Sequence, residues 1–439
     1  MLRTIFLLPF LAAIVICALA VPYVGVLGWT CVALMAPHQL VWGGLGTARI
    51  NMVLAITTVI GWALSREPKR LPFNLAGGLW LCFMAYMTFT TLVALAPDLA
   101  WEGWDRAIKI MALGLLVASM ATNQVRIHAL IWVIVLSLGY VGVRGGIFTL
   151  ITGGRFHVVA EGAISFADNN ILALALCAGV PLMNYLRMQS EWRSVRWGMA
   201  GAMGLVVVAI LGTYSRGGLV GLTVTSGYFW WKSKQKIAIA VVGLAVLIPA
   251  VQFMPDNWVS RMSTIETADE DQSFEGRLQA WRFAMNVAES RPFTGAGFAA
   301  TESSAVFNRY FTGPSGELAV PRAAHSIYFQ VLGDHGFIGL ALYLALLATT
   351  WRYTVKIRRE ARVEPRLAWA GDLASMLQVS LLSFMVTGAA LSTAYHDMIF
   401  LLIGISIALR QLVRHAEPQK RTRAVSAQVG AVRPIGSVG

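Results

Sequence analysis

The sequence predicts an all-α polytopic membrane protein of about 12 transmembrane helices, with one long external loop containing short amphipathic helices. Three observations predict this class. The 439 residues are 57% hydrophobic and 13% charged, with a mean hydropathy of +0.64, where soluble domains carry roughly 25% charged residues. Apolar stretches long enough for a bilayer core recur along nearly the whole chain. Basic clusters also fall in alternate connections, as the positive-inside rule requires.

The candidate spans are 4–20, 22–36, 47–64, 74–96, 106–121, 127–150, 169–186, 197–213, 217–231, 237–253, 326–351, 373–391 and 396–413. Arg66/Lys69/Arg70, Arg187/Arg193/Arg196, Lys232/Lys234/Lys236, the run Arg352 to Arg366, and Arg414 to Arg423 are assigned to the cytoplasmic side. From residue 65 onward, alternate counting puts all of them together. The first 64 residues are less regular. Two true spans with one incomplete crossing give 12 helices, and three full spans give 13 with an external N-terminus. Residues 1–20 resemble a signal peptide, with Arg3, an apolar run and Ala18-Leu19-Ala20. The apolar segments that follow at once favour an uncleaved first helix.

Residues 1–416 form one transmembrane domain, and 417–439 a basic cytoplasmic tail expected to be disordered. The loops at 97–105, 151–168, 213–217, 254–325 and 392–395 become external. The largest, 254–325, holds six Arg, nine Asp or Glu and no Lys. Within it Arg277 to Ala288 reads as an amphipathic helix, with Leu278, Trp281 and Met285 on one face, expected to lie on the membrane surface. Cys17, Cys31, Cys82 and Cys177 lie in apolar segments. They fit neither a disulfide framework nor a zinc pattern, and read as small buried hydrophobes. The net charge of +13 resides in short loops and the tail, so it implies no nucleic-acid partner.

Five cations break the positive-inside pattern. Arg106 and Lys109 share a face at the external start of one span. Arg144 lies 18 residues beyond Arg126, about 27 Å along a helix and nearly across the bilayer. Arg216 sits in the turn Thr213-Tyr214-Ser215-Arg216-Gly217-Gly218, and Arg277 opens the amphipathic loop helix. Helix-end snorkelling or an ion pair, such as Arg106 with Glu102 or Asp105, accounts for any one of them. Together they point to an anionic headgroup, because the planar guanidinium fork grips phosphate.

His325 precedes the span that begins Ser326-Ile327-Tyr328 and can serve as general base on a hydroxyl. Nearby Arg charges favour its neutral form. His335 is ten residues deeper, in a Gly333-Asp334-His335-Gly336 break that can kink the helix, and His157 has no supporting pattern. No Asp-x-Asp, His-Glu-x-x-His or Cys/His metal spacing occurs. External carboxylates (Asp98, Glu161, Asp168) leave a metal or a carboxylate base open. Metal-independent transfer is the preferred reading, since Arg neutralises a diphosphate leaving group without an ion.

Ser215-Arg216-Gly217-Gly218 after a long apolar helix resembles the bacterial O-antigen ligase and polymerase superfamily. So do Gly276-Arg277-x-x-x-Trp281, Gly295-Ala296-Gly297-Phe298 and His325-Ser326-x-Tyr328, in that order over roughly residues 70–415. Ala36-Pro37-His38 and Phe166-Ala167-Asp168-Asn169-Asn170 are similar to the O-glycosylation ligases associated with exosortase systems. The resemblance implies a glycosyltransferase of the bacterial inner membrane working on its periplasmic face. It would take a glycan from an undecaprenyl-diphosphate carrier, without nucleotide sugar, metal or cofactor. The acceptor would be lipid A core, a second glycan, or Ser/Thr of an exported protein. It further implies that Arg216 and Arg277 bind the diphosphate and His325 activates the acceptor hydroxyl; Arg106, Lys109 and Arg144 rest on topology alone. A polymerase joining lipid-linked repeat units differs only in its acceptor. A transporter would carry repeated halves and a midplane site, and neither is evident in this sequence.

Overall fold

The structure is a computed structural model that describes residues 2–40, 48–159, 168–232, 235–263, 272–311 and 320–431. Glu161, Phe166, Ala167 and Lys234, all named above, lie outside these residues. Every element among the described residues is helical. Backbone hydrogen bonds closed within each segment are what a hydrocarbon environment demands.

Each expected span coincides with a helix. The first three are α1 (Leu2–Ala20), α2 (Pro22–Met35) and α3 (Ile50–Leu64), which form a packed trio. Gly25 abuts Ala18 and Thr58, and Gly61 abuts the backbone of Ala18 and Leu19, so the chain reverses twice here. At 14 residues α2 is about 21 Å long, shorter than the bilayer core. Next come α4 (Leu75–Leu92), α5 (Pro97–Met120), α6 (Gln124–Thr152), α7 (Asn169–Gln189), α8 (Arg193–Gly212), α9 (Arg216–Lys232) and α10 (Lys236–Phe253). The external loop contributes α11 (Asp256–Ser263), α12 (Gln272–Ser290) and α13 (Ser304–Tyr310). The chain ends with α14 (Ile327–Ala361), α15 (Ala368–Gly388) and α16 (Asp397–Ala431). The backbone is thus helical past Glu417, where the tail was expected to begin, and 432–439 lie outside the described residues. Seven helices among the described residues are long and apolar enough to cross a membrane.

The core sits on α7, whose apolar window is 78% buried, while α8, at 28%, is peripheral. Close crossings depend on small residues, as expected where lipid supplies no hydrophobic drive between helices. A Cβ at Gly146 would meet the Leu205 carbonyl at 2.1 Å, and one at Gly404 the Gly114 carbonyl at 2.5 Å. Only Cys177 of the four cysteines is buried. Cys17 and Cys82 are exposed on α1 and α4, a correction to the sequence reading: an apolar segment also presents residues to lipid.

Polar contacts sort the connections into two ends. Arg126 pairs with both oxygens of Glu67, Gln189 donates to Asp372 at 3.0 Å, and Arg410 pairs with Glu360. These lie with the basic loops. At the other end Val158 N–H donates to the Gly212 carbonyl (2.8 Å) and Leu95 N–H to the Ala296 carbonyl (2.8 Å).

One loop feature differs from expectation, and one agrees with it. The face that α12 buries is Ala280, Phe283, Ala284, Val287 and Ala288, while Met285 is exposed. The helix packs on α14, and of the expected stripe Leu278, Trp281 and Met285 it is Trp281 that stacks there, on Phe329. The expected kink of α14 is present, at Gly336 (φ 66°, ψ −169°). The loop segment 292–297 fills it. Ala296 and Gly297 N–H donate to the Gly333 and Asp334 carbonyls, both at 2.9 Å, and Phe337 N–H donates to the Pro292 carbonyl at 2.9 Å. The backbone groups freed by the break thus regain partners, which buried peptide groups require. Gly295, at φ 59°, allows this approach: a Cβ there would stand 2.6 Å from the Asp334 carbonyl oxygen.

Candidate active site

The Ser215-Arg216-Gly217-Gly218 motif is a helix start. Ser215 Oγ accepts from Gly218 N–H at 3.0 Å, capping α9 so that Arg216 is its first residue. Tyr214 before it is buried at φ 57°, its hydroxyl donating to the Gly154 carbonyl at 2.5 Å. Its own carbonyl accepts from Arg261 Nε at 3.1 Å. Gly218 lets α9 press on Ala173 of α7, where a Cβ would come to 2.6 Å.

The start of α7 links this turn to His325. Asp168 caps α7 by accepting from the N–H groups of Asn170 (2.7 Å) and Ile171 (3.1 Å). Asn169 donates to the Thr213 carbonyl at 2.6 Å. The Asp168 carboxylate is close enough for its charge to act on the His325 ring. On the other flank, Gly217 lies against Thr387, and the next residue, Gly388, lies against Ile327.

His325 is held on three sides. Its N–H donates to Ser392 Oγ at 2.7 Å. The preceding Ala324 carbonyl accepts from Trp281 Nε1 at 2.8 Å, and the Trp281 ring stacks on Phe329 at 4.9 Å and 8°. His325 itself adopts φ 44°, the left-handed region that few residues other than glycine occupy. Ala36, Tyr214 and Ala299 do so as well, all at this end of the molecule. Strained backbone of this kind clusters at functional sites.

The electrostatics favour a neutral imidazole. Desolvation by the surrounding protein lowers the pKa of His325 below the ordinary histidine value, while part of its surface stays open. The Arg277 guanidinium pushes the same way, Asp168 opposes, and Arg322 adds a smaller downward push. Gly276 brings α12 against the Arg322 side chain, where a Cβ would stand 2.6 Å from its guanidinium. A neutral ring nitrogen beside two guanidinium groups can accept a proton from a hydroxyl while the cations hold an anion.

Beside His325 opens a cavity of about 700 Å³, on the end away from the basic loops. Ala324 and Ser392 belong to its wall, as do Arg106 and Lys109 on α5. Lys109 pairs with Asp105, and both keep about half of their side-chain surface open. Glu102, Glu302 and Asp334 add carboxyl groups to the same wall. The expected cations therefore divide. Arg277 acts on His325 through its charge, Arg106 and Lys109 line the adjoining cavity, and Arg216, the first residue of α9, is not part of the cavity wall. Arg144 is exposed on α6 and is not part of the cavity wall. His335 is fully buried, its Nδ1 2.7 Å from Thr90 Oγ1. The His157 ring packs on Tyr214 at 4.3 Å. Sequence reasoning passed over Arg322 and Ser392, which act through tertiary contact and have no local signature. Among the described residues no group of three or more His, Cys, Asp or Glu is poised for a metal ion.

Residues 201–344, spanning α8 to the first half of α14, match the family described as O-Antigen ligase. That interval contains Arg216, Arg277, Trp281 and His325. Residues 2–191 match a family of unknown function (DUF5935). No curated protein matches the chain. Residues 201–344 thus carry an O-antigen ligase family domain, which supports placing the protein in that superfamily.

Proposed function

We propose that the protein is a metal-independent, inverting glycosyltransferase that moves a glycan from an undecaprenyl-diphosphate carrier to an acceptor hydroxyl. The observation that carries this reading is the grouping of His325, Arg277 and Arg322 beside a cavity whose wall includes Arg106 and Lys109. The O-antigen ligase domain at residues 201–344 supports the broader role, a membrane ligase or polymerase acting on lipid-linked glycans. The positive-inside rule supports a periplasmic site in the bacterial inner membrane, since the basic loops occupy the far end.

In this reaction the acceptor oxygen attacks the anomeric carbon as the carbon–oxygen bond to the diphosphate breaks. His325 takes the acceptor proton. Undecaprenyl diphosphate leaves with the bonding electron pair, and Arg277, Arg216 and the α5 cations balance the added negative charge. A single displacement inverts the anomeric configuration. Arg144 has less support, because it is exposed on α6, lies outside the cavity wall and belongs to none of the motifs that carry the resemblance.

The test is reconstitution in liposomes with the lipid-linked glycan extracted from the producing cells, candidate acceptors and EDTA. New glycoside with undecaprenyl diphosphate released in equal amount is expected. Movement of the lipid-linked substrate without glycosyl transfer would overturn the proposal in favour of a transporter. Among products, single addition to lipid A core or to an exported protein marks a ligase, and lengthening lipid-linked chains mark a polymerase.

A further inference from the structure

The cavity beside His325 is built by both matched intervals. The interval of unknown function, 2–191, supplies the end of α2, the turn Pro37–Leu40, the start of α3 and the exposed face of α5. The O-antigen ligase interval supplies the start of α14 and the strap through Phe298. The 392–397 segment before α16 completes the wall. A catalytic centre for a diphosphate needs only cations and a base. The wall also carries different chemistry.

Among the described residues, two buried side chains of the wall each carry an atom without a hydrogen-bond partner. His38 is 5% exposed, and its Nδ1 has no partner. Thr393 is 3% exposed, and its Oγ1 has no partner either. Both residues line the cavity, from elements more than 350 residues apart in the chain. Buried polar atoms in native proteins are almost always satisfied, so each such atom calls for a ligand or a water. The same wall carries Gln330 as a neutral hydrogen-bonding group, with Trp29 and Phe298 as flat apolar surfaces. Burial lowers the pKa of His38, so its ring is neutral at physiological pH and offers one donor and one acceptor. Neutral donors and acceptors interleaved with aromatic faces suit a polyhydroxylated ring, whose hydroxyls need directional partners and whose C–H face is apolar.

We infer that His38 and Thr393 form a sugar-recognition subsite in this cavity, which makes the N-terminal interval the part of the protein that selects the glycan. The inference rests on the glycosyl-transfer reading above. The sugar can belong to the donor or to a glycan acceptor, since both present the same hydroxyl chemistry.

The experiment uses the full-length protein in detergent. Three quantities are compared for wild type, His38→Gln and Thr393→Val: binding of lipid-linked glycan extracted from the producing cells, binding of undecaprenyl diphosphate alone, and KM for acceptor. Thr393→Ser serves as conservative rescue, and thermal unfolding checks the fold. Expected is a loss of about tenfold or more in affinity for the glycan-bearing donor, or an equal rise in acceptor KM, with binding of bare undecaprenyl diphosphate unchanged. Thr393→Ser restores the loss. A selective donor effect assigns the subsite to donor sugar, and a selective acceptor effect assigns it to acceptor sugar. Unchanged values in folded variants overturn the inference, as does an equal loss for the bare carrier. Failure of the underlying reading looks different: wild type then binds no undecaprenyl diphosphate, and glycan freed from its carrier still reports on His38 and Thr393.

Discussion

Trp281 donates its indole N–H to the carbonyl of Ala324 at 2.8 Å, one peptide before His325, while its ring stacks on Phe329. The loop helix α12 thereby fixes the backbone that presents the imidazole. Trp281→Phe keeps an aromatic ring and removes the donor. Transfer is expected to fall by roughly tenfold to a hundredfold through misplacement of His325. Donor binding and the unfolding temperature should change little. Rate and binding measured side by side on the purified variant check this.

The pH profile follows from the partial burial of His325 and, after it, from the charges around the ring. Its pKa is held below the ordinary value of about 6.5, so transfer rises with pH through a limb centred below that value as the ring loses its proton. Arg322→Gln removes a positive charge that disfavours the imidazolium, so the limb moves to higher pH. Asp168→Asn removes a negative charge that favours it, so the limb moves to lower pH, while Asn still caps α7. Transfer rates from pH 5 to 8 for the three proteins report both signs.

Gly336 occupies φ 66° and ψ −169°, a region essentially reserved for glycine, and a Cβ would approach the Pro292 carbonyl to 2.5 Å. Gly336→Ala is expected to cost about 1–3 kcal/mol through backbone strain alone. It should also loosen the 292–297 strap. A lower unfolding temperature in detergent is the expected readout; an unchanged one would show that the break does not depend on this residue.

The topology can be read by labelling. In a variant without its native cysteines, Arg322→Cys should react with a membrane-impermeant maleimide applied to intact spheroplasts. Arg362→Cys should react only after permeabilisation. Both positions are exposed, so access depends on sidedness alone. The reverse pattern would place the cavity in the cytoplasm.

Much of the architecture was legible because it is local. Asn123 and Gly153 bracket α6 by N-cap and left-handed C-cap, and the apolar run between them sets its length. Asp168 announces α7 in the same way. The resemblance implied a shared site for Arg216, Arg277 and His325, and of these the Arg277 charge acts on the His325 ring. What escaped was set by long-range packing. α5 starts at Pro97 rather than near 106, because its first turns carry charges that face the cavity instead of lipid. The buried face of α12 was misread because Leu278 and Met285 outrank alanines in hydropathy, while Ala280, Ala284 and Ala288 permit the closer approach to α14. Arg144 was grouped by depth in the bilayer, and depth does not fix the direction in which a helix faces.

Separating binding from chemistry tests the central claim most directly. His325→Ala should bind undecaprenyl diphosphate within a few-fold of wild type and lose about a hundredfold or more in single-turnover transfer. Arg277→Ala should lose the binding itself. A folded His325→Ala protein that transfers glycan at the wild-type rate would contradict the assignment of the imidazole as the base.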